Sequence, residues 1–129
     1  MSLGALAAAA EQSAAQSAAS GTRVVFQRDL PDLTMSGWSA TAIEVVYGPG
    51  ESTPSHRHPG ITLAYVLEGA IRSKVGDEPE RTYTAGQMFL ETPGQLHAVS
   101  RNASSSEPAK LLAILLAKKG AALTTPAQP

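Results

Sequence analysis

The predicted fold and site of this chain depend on one segment, Gly50-Glu51-Ser52-Thr53-Pro54-Ser55-His56-Arg57-His58-Pro59-Gly60. It holds two of the chain's three histidines, and the third, His97, follows the turn-forming residues 93–96. Residues i and i+2 of a β-strand project from the same face, so a strand through His56 and His58 points both imidazoles one way. Zinc, iron, nickel, manganese and copper all accept imidazole nitrogen. A fold that brings His97 beside this pair would make a three-histidine metal site, whereas the pair alone is more typical of a solvated loop.

Short apolar runs separated by glycine and proline surround this segment, and that pattern favours an all-β chain. Residues 71, 73 and 75 are Ile, Ser and Val and alternate with charged Arg72 and Lys74, which is typical of a half-solvated strand. The predicted strands are 23–28, 38–47, 61–67, 70–75, 81–84, 88–91, 97–100 and 110–118. Chains of this kind close into a sandwich or a barrel.

The run 110–118, Lys-Leu-Leu-Ala-Ile-Leu-Leu-Ala-Lys, has a composition that would also suit a helix. Its odd-numbered and even-numbered positions are both apolar, and a strand buried on both faces explains this pattern equally well. We predict a strand whose outer face is covered by another sheet or another subunit. The second possibility predicts a homodimer.

Composition excludes several kinds of function. The chain of 129 residues is one domain by length, and its formal net charge of −1 comes from scattered charges without a basic patch. We therefore predict no nucleic-acid partner and no membrane partner. Cysteine is absent, so any metal must be bound by imidazole or oxygen.

Residues 1–20 differ from the rest because they are almost wholly Ala, Ser and Gln. They suit an Ala-rich helix without an apolar stripe, or the remainder of a secretory signal. The protein is periplasmic or secreted under the second interpretation and cytoplasmic otherwise. We place the barrel at 21–120 and expect residues 121–129 to be a tail in loop conformation.

Two spaced motifs in this chain resemble those of the cupin superfamily, G-x5-H-x-H-x3,4-E-x6-G and G-x5-P-x-G-x2-H-x3-N. The residues in register with the first motif are Gly50, His56, His58 and Gly69. Those in register with the second are Gly86, Gly94 and His97. The resemblance extends over about residues 23–118 and is closest to small single-domain conserved-barrel cupins. It implies a small antiparallel double-stranded β-helix, or jelly-roll barrel, with the three histidines as ligands of a divalent transition metal.

The departures from these motifs concern the fourth ligand. Thr62 stands where the first motif has glutamate, and in the second motif Thr92 and Arg101 replace proline and asparagine. Thr62 would occupy the fourth-ligand position, but a threonine hydroxyl is a poor metal ligand. A divalent ion therefore keeps a charge of about +2 and gains an open or water-filled coordination position. We therefore expect weak metal affinity and a preference for a ligand that supplies negative charge, such as an enolate, carboxylate or thiolate. Loss of metal is expected below roughly pH 6, because protonated imidazole cannot bind it.

Strand parity predicts which residues line the pocket. Ala64 and Val66 share a face with Thr62, and Val99 shares one with His97. Met88 or Leu90 is expected to complete the wall. Glu91 is interpreted as a solvated edge charge, and no catalytic residue is identified.

Three functions remain open at this stage. The first is a metal-dependent enzyme, a dioxygenase-like cupin acting on a small anionic or enolisable molecule. The second is a non-catalytic module that binds or senses a metal or small molecule. The third is a barrel that has lost its site and serves for oligomerisation, since one fold hosts many functions.

Overall fold

A computed structural model describes residues 20–127, and within that range every regular element is a β-strand. The strands are β1 Trp38–Tyr47, β2 Ser52–Thr53, β3 His56–Arg57, β4 Ile61–Glu68, β5 Ala70–Val75, β6 Arg81–Thr84, β7 Met88–Glu91, β8 Leu96–Asn102, β9 Ala109–Lys118 and β10 Thr125–Pro126. No helix in this range is long and apolar enough to cross a membrane. The predictions for residues 1–20 concern residues that, except for Ser20, lie outside the described part.

The strands form two antiparallel sheets that face each other. One has the order β1-β9-β4-β7, and the other has the order β10-β3-β8-β5-β6 with β2 also pairing with β8. Inward side chains of both sheets, including Val66 and Ile71, make a common core. This is the double-stranded β-helix that the sequence predicts, and it forms one small domain.

The ambiguous run 110–118 is a strand, as predicted. It forms most of β9, which lies between β1 and β4 in its sheet. Its odd-numbered residues, among them Leu111 and Leu115, are buried, while Leu112 and Ile114 on the outer face are half-buried. The homodimer stays a prediction, and sedimentation equilibrium that shows only monomer at high concentration would contradict it.

Two predictions about the ends of the barrel are wrong. Residues 23–28 form no strand. They lie across the outer face of the first sheet, where Phe26 and Leu30 line a depression together with Leu63. A segment that crosses a sheet face cannot join the ladder of hydrogen bonds at its edge. At the other end, the predicted loop at 121–129 contains β10, which pairs with β3.

The loop after β8 is fastened by a buried asparagine. Asn102 is 1% exposed and donates hydrogen bonds to the carbonyls of Gly48 (3.0 Å) and Glu107 (2.7 Å). Its side-chain oxygen accepts a hydrogen bond from the Ser104 amide at 2.9 Å. These bonds hold the loop against the turn that follows β1.

The turn between β3 and β4 lies close to β9. A Cβ atom on Gly60 would be 1.8 Å from the carbonyl oxygen of Leu116. Only glycine allows this approach, which places His58, two residues earlier, inside the barrel.

Candidate metal centre

Four buried side chains meet at one end of the barrel: His56, His58, Glu91 and His97. Their candidate ligand atoms all lie within 4.8 Å of one another. His56 on β3 and His97 on β8 are direct partners in the antiparallel ladder, which explains how distant segments meet. The structure therefore brings the three histidines together and adds a carboxylate.

Each histidine has one ring nitrogen held by a group outside this cluster. Nδ1 of His56 lies 2.8 Å from the carbonyl oxygen of Pro54, and Nδ1 of His58 lies 2.8 Å from that of Leu123. These carbonyls can only accept, so both Nδ1 atoms carry the proton and leave Nε2 as the free lone pair. Hydrogen bonds of this kind orient metal-binding imidazoles in proteins.

His97 is held in the opposite sense. Its Nε2 lies 2.8 Å from the hydroxyl of Ser73 on β5, a bond in which either atom can donate. Its Nδ1 therefore faces the cluster and lies 3.2 Å from Oε1 of Glu91. As a metal ligand, His97 would use Nδ1, and its Nε2–H would donate to Ser73.

Glu91 is the residue that the sequence interpretation missed. It is 2% exposed, and its Oε1 lies 3.7 Å from Nε2 of His58, so it is not a solvated edge charge. The reason is the alternation of β7, in which Phe89 and Glu91 face inward. That alternation was readable from the sequence once Phe89 was assigned to the core.

The carboxylate lies directly across the ladder from Thr62, the position where the first cupin motif has glutamate. Thr62 on β4 and Glu91 on β7 are partners in the antiparallel pair. Side chains that face each other in this way have Cβ atoms about 4.5–5.5 Å apart, so either one can reach the same point. The expectation of a site without a carboxylate is therefore wrong, and a divalent ion bound to this set would carry a net charge of about +1 rather than about +2.

Of the four buried side-chain atoms that lack hydrogen bonds in the described residues, three lie in this cluster or beside it, and the fourth is Nε1 of Trp38 at the start of β1. The three are Oε1 of Glu91, Nδ1 of His97 and Oγ1 of Thr62. An unsatisfied buried polar atom costs about 1–3 kcal/mol, and more if it is charged. A cation would satisfy the Glu91 and His97 atoms together, so the residues fit a divalent transition metal. Three imidazoles and a carboxylate suit zinc, iron, nickel, manganese and copper alike.

Burial lowers the pKa of His56 below its usual value of 6.5. The hydrogen bond to the Pro54 carbonyl opposes this effect, and the neighbouring His97 and His58 add to it. The neutral imidazole is the form that binds metal. His56 is therefore ready to act as a ligand at a lower pH than an exposed histidine.

A cavity of about 120 Å³ adjoins the four side chains. Its wall is mostly apolar, and the residues outside the cluster are Ile43, Val45, Tyr47, Thr53, Thr62, Ala64, Phe89, Ser100, Leu111, Ala113, Leu115 and Thr124. Tyr47 is among the polar residues of this wall, and its hydroxyl hydrogen-bonds to Thr53 and, at 2.9 Å, to Ser100.

The structure places only part of the predicted wall in this cavity. Ala64 lines it, whereas Val66 faces inward but is packed within the core. Met88 and Leu90 line the outer depression instead, because Phe89 and Glu91 take the inward positions of β7. Val99 also faces away from the cavity. On β8, one extra residue lies between His97 and Val99 and breaks the register with β5. Such a bulge reverses which side chains face inward, so Val99 does not share the face of His97 as alternation predicted.

Solved structures share this fold. A conserved protein with a double-stranded β-helix domain from Klebsiella pneumoniae is 23% identical, with 70% of this chain and 76% of that chain covered and a TM-score of 0.58. The DMSP lyase DddQ from Ruegeria pomeroyi is 20% identical. The match covers 69% of this chain and 43% of that chain, with a TM-score of 0.60. An oxalate oxidase in complex with glycolate is 16% identical. The match covers 84% of this chain and 66% of that chain, with a TM-score of 0.56. At these identities the likeness shows the fold alone, and this chain spans less than half of the lyase.

A search of curated proteins found no significant match. The model of the cupin domain family matches residues 43–115, which is more than half of the chain. That match runs from β1 to β9 and includes all four clustered side chains. The chain therefore belongs to the cupin domain family.

Proposed function

We propose that this protein is a metal-dependent enzyme that acts on a small anionic or enolisable molecule. The observation that carries this proposal is the convergence of His56, His58, Glu91 and His97 on one point beside a cavity. Buried titratable groups that meet in a pocket are typical of functional sites. A divalent ion held by them would act as a Lewis acid toward an oxygen of the substrate.

The cavity of about 120 Å³ suits a small substrate beside the cluster. Its wall of Ile43, Leu111 and Leu115 would contact an apolar part of the molecule. The cluster would take the polar end. Its charge of about +1 with a divalent ion favours an enolate or a carboxylate there.

The protein residues supply binding and orientation. The three imidazoles and Glu91 would hold the ion, and Pro54, Leu123 and Ser73 fix the imidazole rings. Among the described residues, Tyr47 is the only titratable side chain that lines the cavity outside the cluster. Its hydroxyl would position a second polar group of the substrate.

A non-catalytic module that binds or senses a metal or a small molecule is the second candidate. It is favoured by the state of Tyr47, whose hydroxyl is already engaged by Thr53 and Ser100. The described part of the cavity wall therefore offers no free general acid or base beyond the cluster itself.

Metal analysis followed by an activity screen tests both candidates. The purified protein is loaded with iron, zinc, nickel, manganese or copper, and bound metal is measured by elemental analysis. Oxygen uptake is then followed with a panel of small acids, because a dioxygenase is the first reaction to test. DMSP, oxalate and glycolate join the panel because proteins of similar fold are described with them.

The outcomes separate the candidates. Turnover that requires one metal and is lost in Glu91→Gln supports the enzyme. Stoichiometric metal with no turnover across the panel supports the binding module. No bound metal at any pH would contradict the enzyme and the metal-binding module and would favour the oligomerisation barrel.

A further inference from the structure

The C-terminal segment 121–127, named here the C-terminal strap, returns to the metal cluster after the barrel is complete. It leaves β9 through Gly120, whose φ is +86°, and a turn in which the Ala121 amide donates to the Lys118 carbonyl at 3.0 Å. The side chain of Leu123 then packs against the core. The strap is therefore docked at a defined place on the barrel.

The strap contacts His58 directly. The Leu123 carbonyl accepts the hydrogen bond from Nδ1 of His58 at 2.8 Å, and the Thr124 hydroxyl lies 3.2 Å from the same nitrogen. No other hydrogen bond to His58 Nδ1 is present in the described residues. The orientation of this ring therefore depends on the strap.

The strap also completes the sheet around His56. Thr125 and Pro126 of β10 pair with Arg57 and His56 of β3, and the Ala127 amide donates to the Ser55 carbonyl at 3.0 Å. Without β10, the two-residue strand β3 would be the edge of its sheet and would pair with β8 alone. Thr124 in addition lines the cavity, so the strap forms part of its wall.

We propose that the C-terminal strap is a positioning element of the metal centre, and that strap docking and metal binding are energetically coupled. The inference rests on the proposed metal binding. The docked strap holds His58 with Nε2 toward the cluster, which lowers the cost of ordering that ligand when the ion binds. Coupling of this kind is reciprocal, so bound metal must stabilise the docked strap by the same factor.

Cobalt(II) titration of truncated and substituted proteins tests the first half. A variant that ends at Gly120 is expected to bind Co²⁺ roughly 10–100-fold more weakly than the full chain. This range is typical when a group that hydrogen-bonds to a metal ligand, called here an outer partner, is lost. Thr124→Val is expected to weaken binding less, and Thr124→Ser to restore it. Thr125→Val is the matched control, because Thr125 is exposed and its side chain has no hydrogen bond to a ligand.

Hydrogen exchange of the full chain tests the second half. Exchange at the Ala127 amide, which reports strap docking, is expected to slow on saturation with Zn²⁺ by the factor that truncation costs in affinity for Zn²⁺. This measurement uses the intact protein and remains decisive if the truncated variant does not fold.

The results distinguish the two levels of inference. If the full chain binds neither Co²⁺ nor Zn²⁺, the proposed function fails and the coupling with it. If the full chain binds metal but exchange at Ala127 is unchanged by Zn²⁺, or Thr124→Val and a folded truncated chain bind Co²⁺ as tightly as the full chain, only the strap inference is overturned.

Discussion

The two strands that carry the histidines are built very differently. β8, which carries His97, has seven residues and lies between β3 and β5 inside its sheet. β3, which carries His56, has two residues, and His58 follows it outside any strand. One side of the cluster is therefore supported by long strands and the other by a short segment with local hydrogen bonds.

This difference shows which side of the candidate metal centre is preorganised. His97 and Glu91 lie on strands paired over several residues, so their positions are set by the barrel itself. His56 and His58 take their orientation from Pro54 and Leu123. If a metal binds here, substitutions on the first side should remove a ligand that the barrel already holds in place. Substitutions on the second side should raise the cost of ordering His56 and His58 when the ion binds.

Removal of the carboxylate is expected to have the largest effect. Glu91→Gln keeps the shape of the side chain but removes its charge, so affinity for Co²⁺ should fall by more than the roughly 100-fold upper range for outer partners. Isothermal titration or competition with a chelator measures this affinity. Equal affinity in the two proteins would exclude Glu91 as a ligand.

A double substitution controls for the position of the charge. Thr62→Glu with Glu91→Thr moves the carboxylate across one ladder pair without changing composition. We expect it to recover much of the affinity lost in Glu91→Gln. Failure to recover while the protein stays folded would mean that the site depends on Glu91 for more than its charge.

The turn beside His58 provides the second prediction. In Gly60→Ala, the new methyl group would lie 1.8 Å from the Leu116 carbonyl, so the turn or β9 must move. We expect the free energy of unfolding to fall by about 2–3 kcal/mol, as for other overpacked sites, when measured by urea denaturation. Ser39→Ala, at an exposed position of β1, is the control. Unchanged stability in Gly60→Ala would show that this contact is relaxed in solution.

Loss of the support for His97 should have a smaller effect. Ser73→Ala removes the hydroxyl next to Nε2 of His97 and is expected to weaken Co²⁺ binding about tenfold, the lower end for an outer partner. Ser100→Ala is a matched control, since Ser100 is the ladder partner of Ser73 but bonds to Tyr47. A larger loss in Ser100→Ala would contradict the assignment of Ser73.

The smallest predicted effect is on the pH dependence of the metal-free protein. Because the folded-state pKa of His56 is lowered below 6.5, the unfolded chain binds this proton more tightly. The corresponding stability is fully present above pH 6.5 and is lost as pH falls from 6.5 through the lowered pKa. Urea denaturation between pH 5 and 7.5 should show a shallower decline in His56→Gln, and parallel curves would contradict the shift.

The strands were readable from the sequence because they depend on local patterns, whereas the double-stranded β-helix was implied by the resemblance of two motifs to those of cupins. Alternation gave the strands around Ile71, and fixed spacing gave His56, His58 and His97. Glu91 was missed because Met88 or Leu90 was assigned to the inner face of β7 in place of Phe89. Its position opposite Thr62 follows from the pairing of β4 with β7, which no local pattern specifies.

The remaining misses have similar causes. Val99 was misplaced by a bulge that alternation cannot show. The strand Thr125–Pro126 carries no apolar signal and forms only because β3 offers it a free edge. Features that depend on which strands become neighbours were therefore beyond prediction from local patterns.

The facing positions of Thr62 and Glu91 have a consequence for recognising such sites in other sequences. A metal centre of three histidines and one carboxylate needs that carboxylate at one point in space, and two chain positions 29 residues apart, 62 and 91, give access to that point. Substitution at one of them can then be compensated at the other during evolution without any change in backbone. A motif with a single fixed glutamate would discard sequences that keep the complete set of ligands, so position 91 must be read together with position 62.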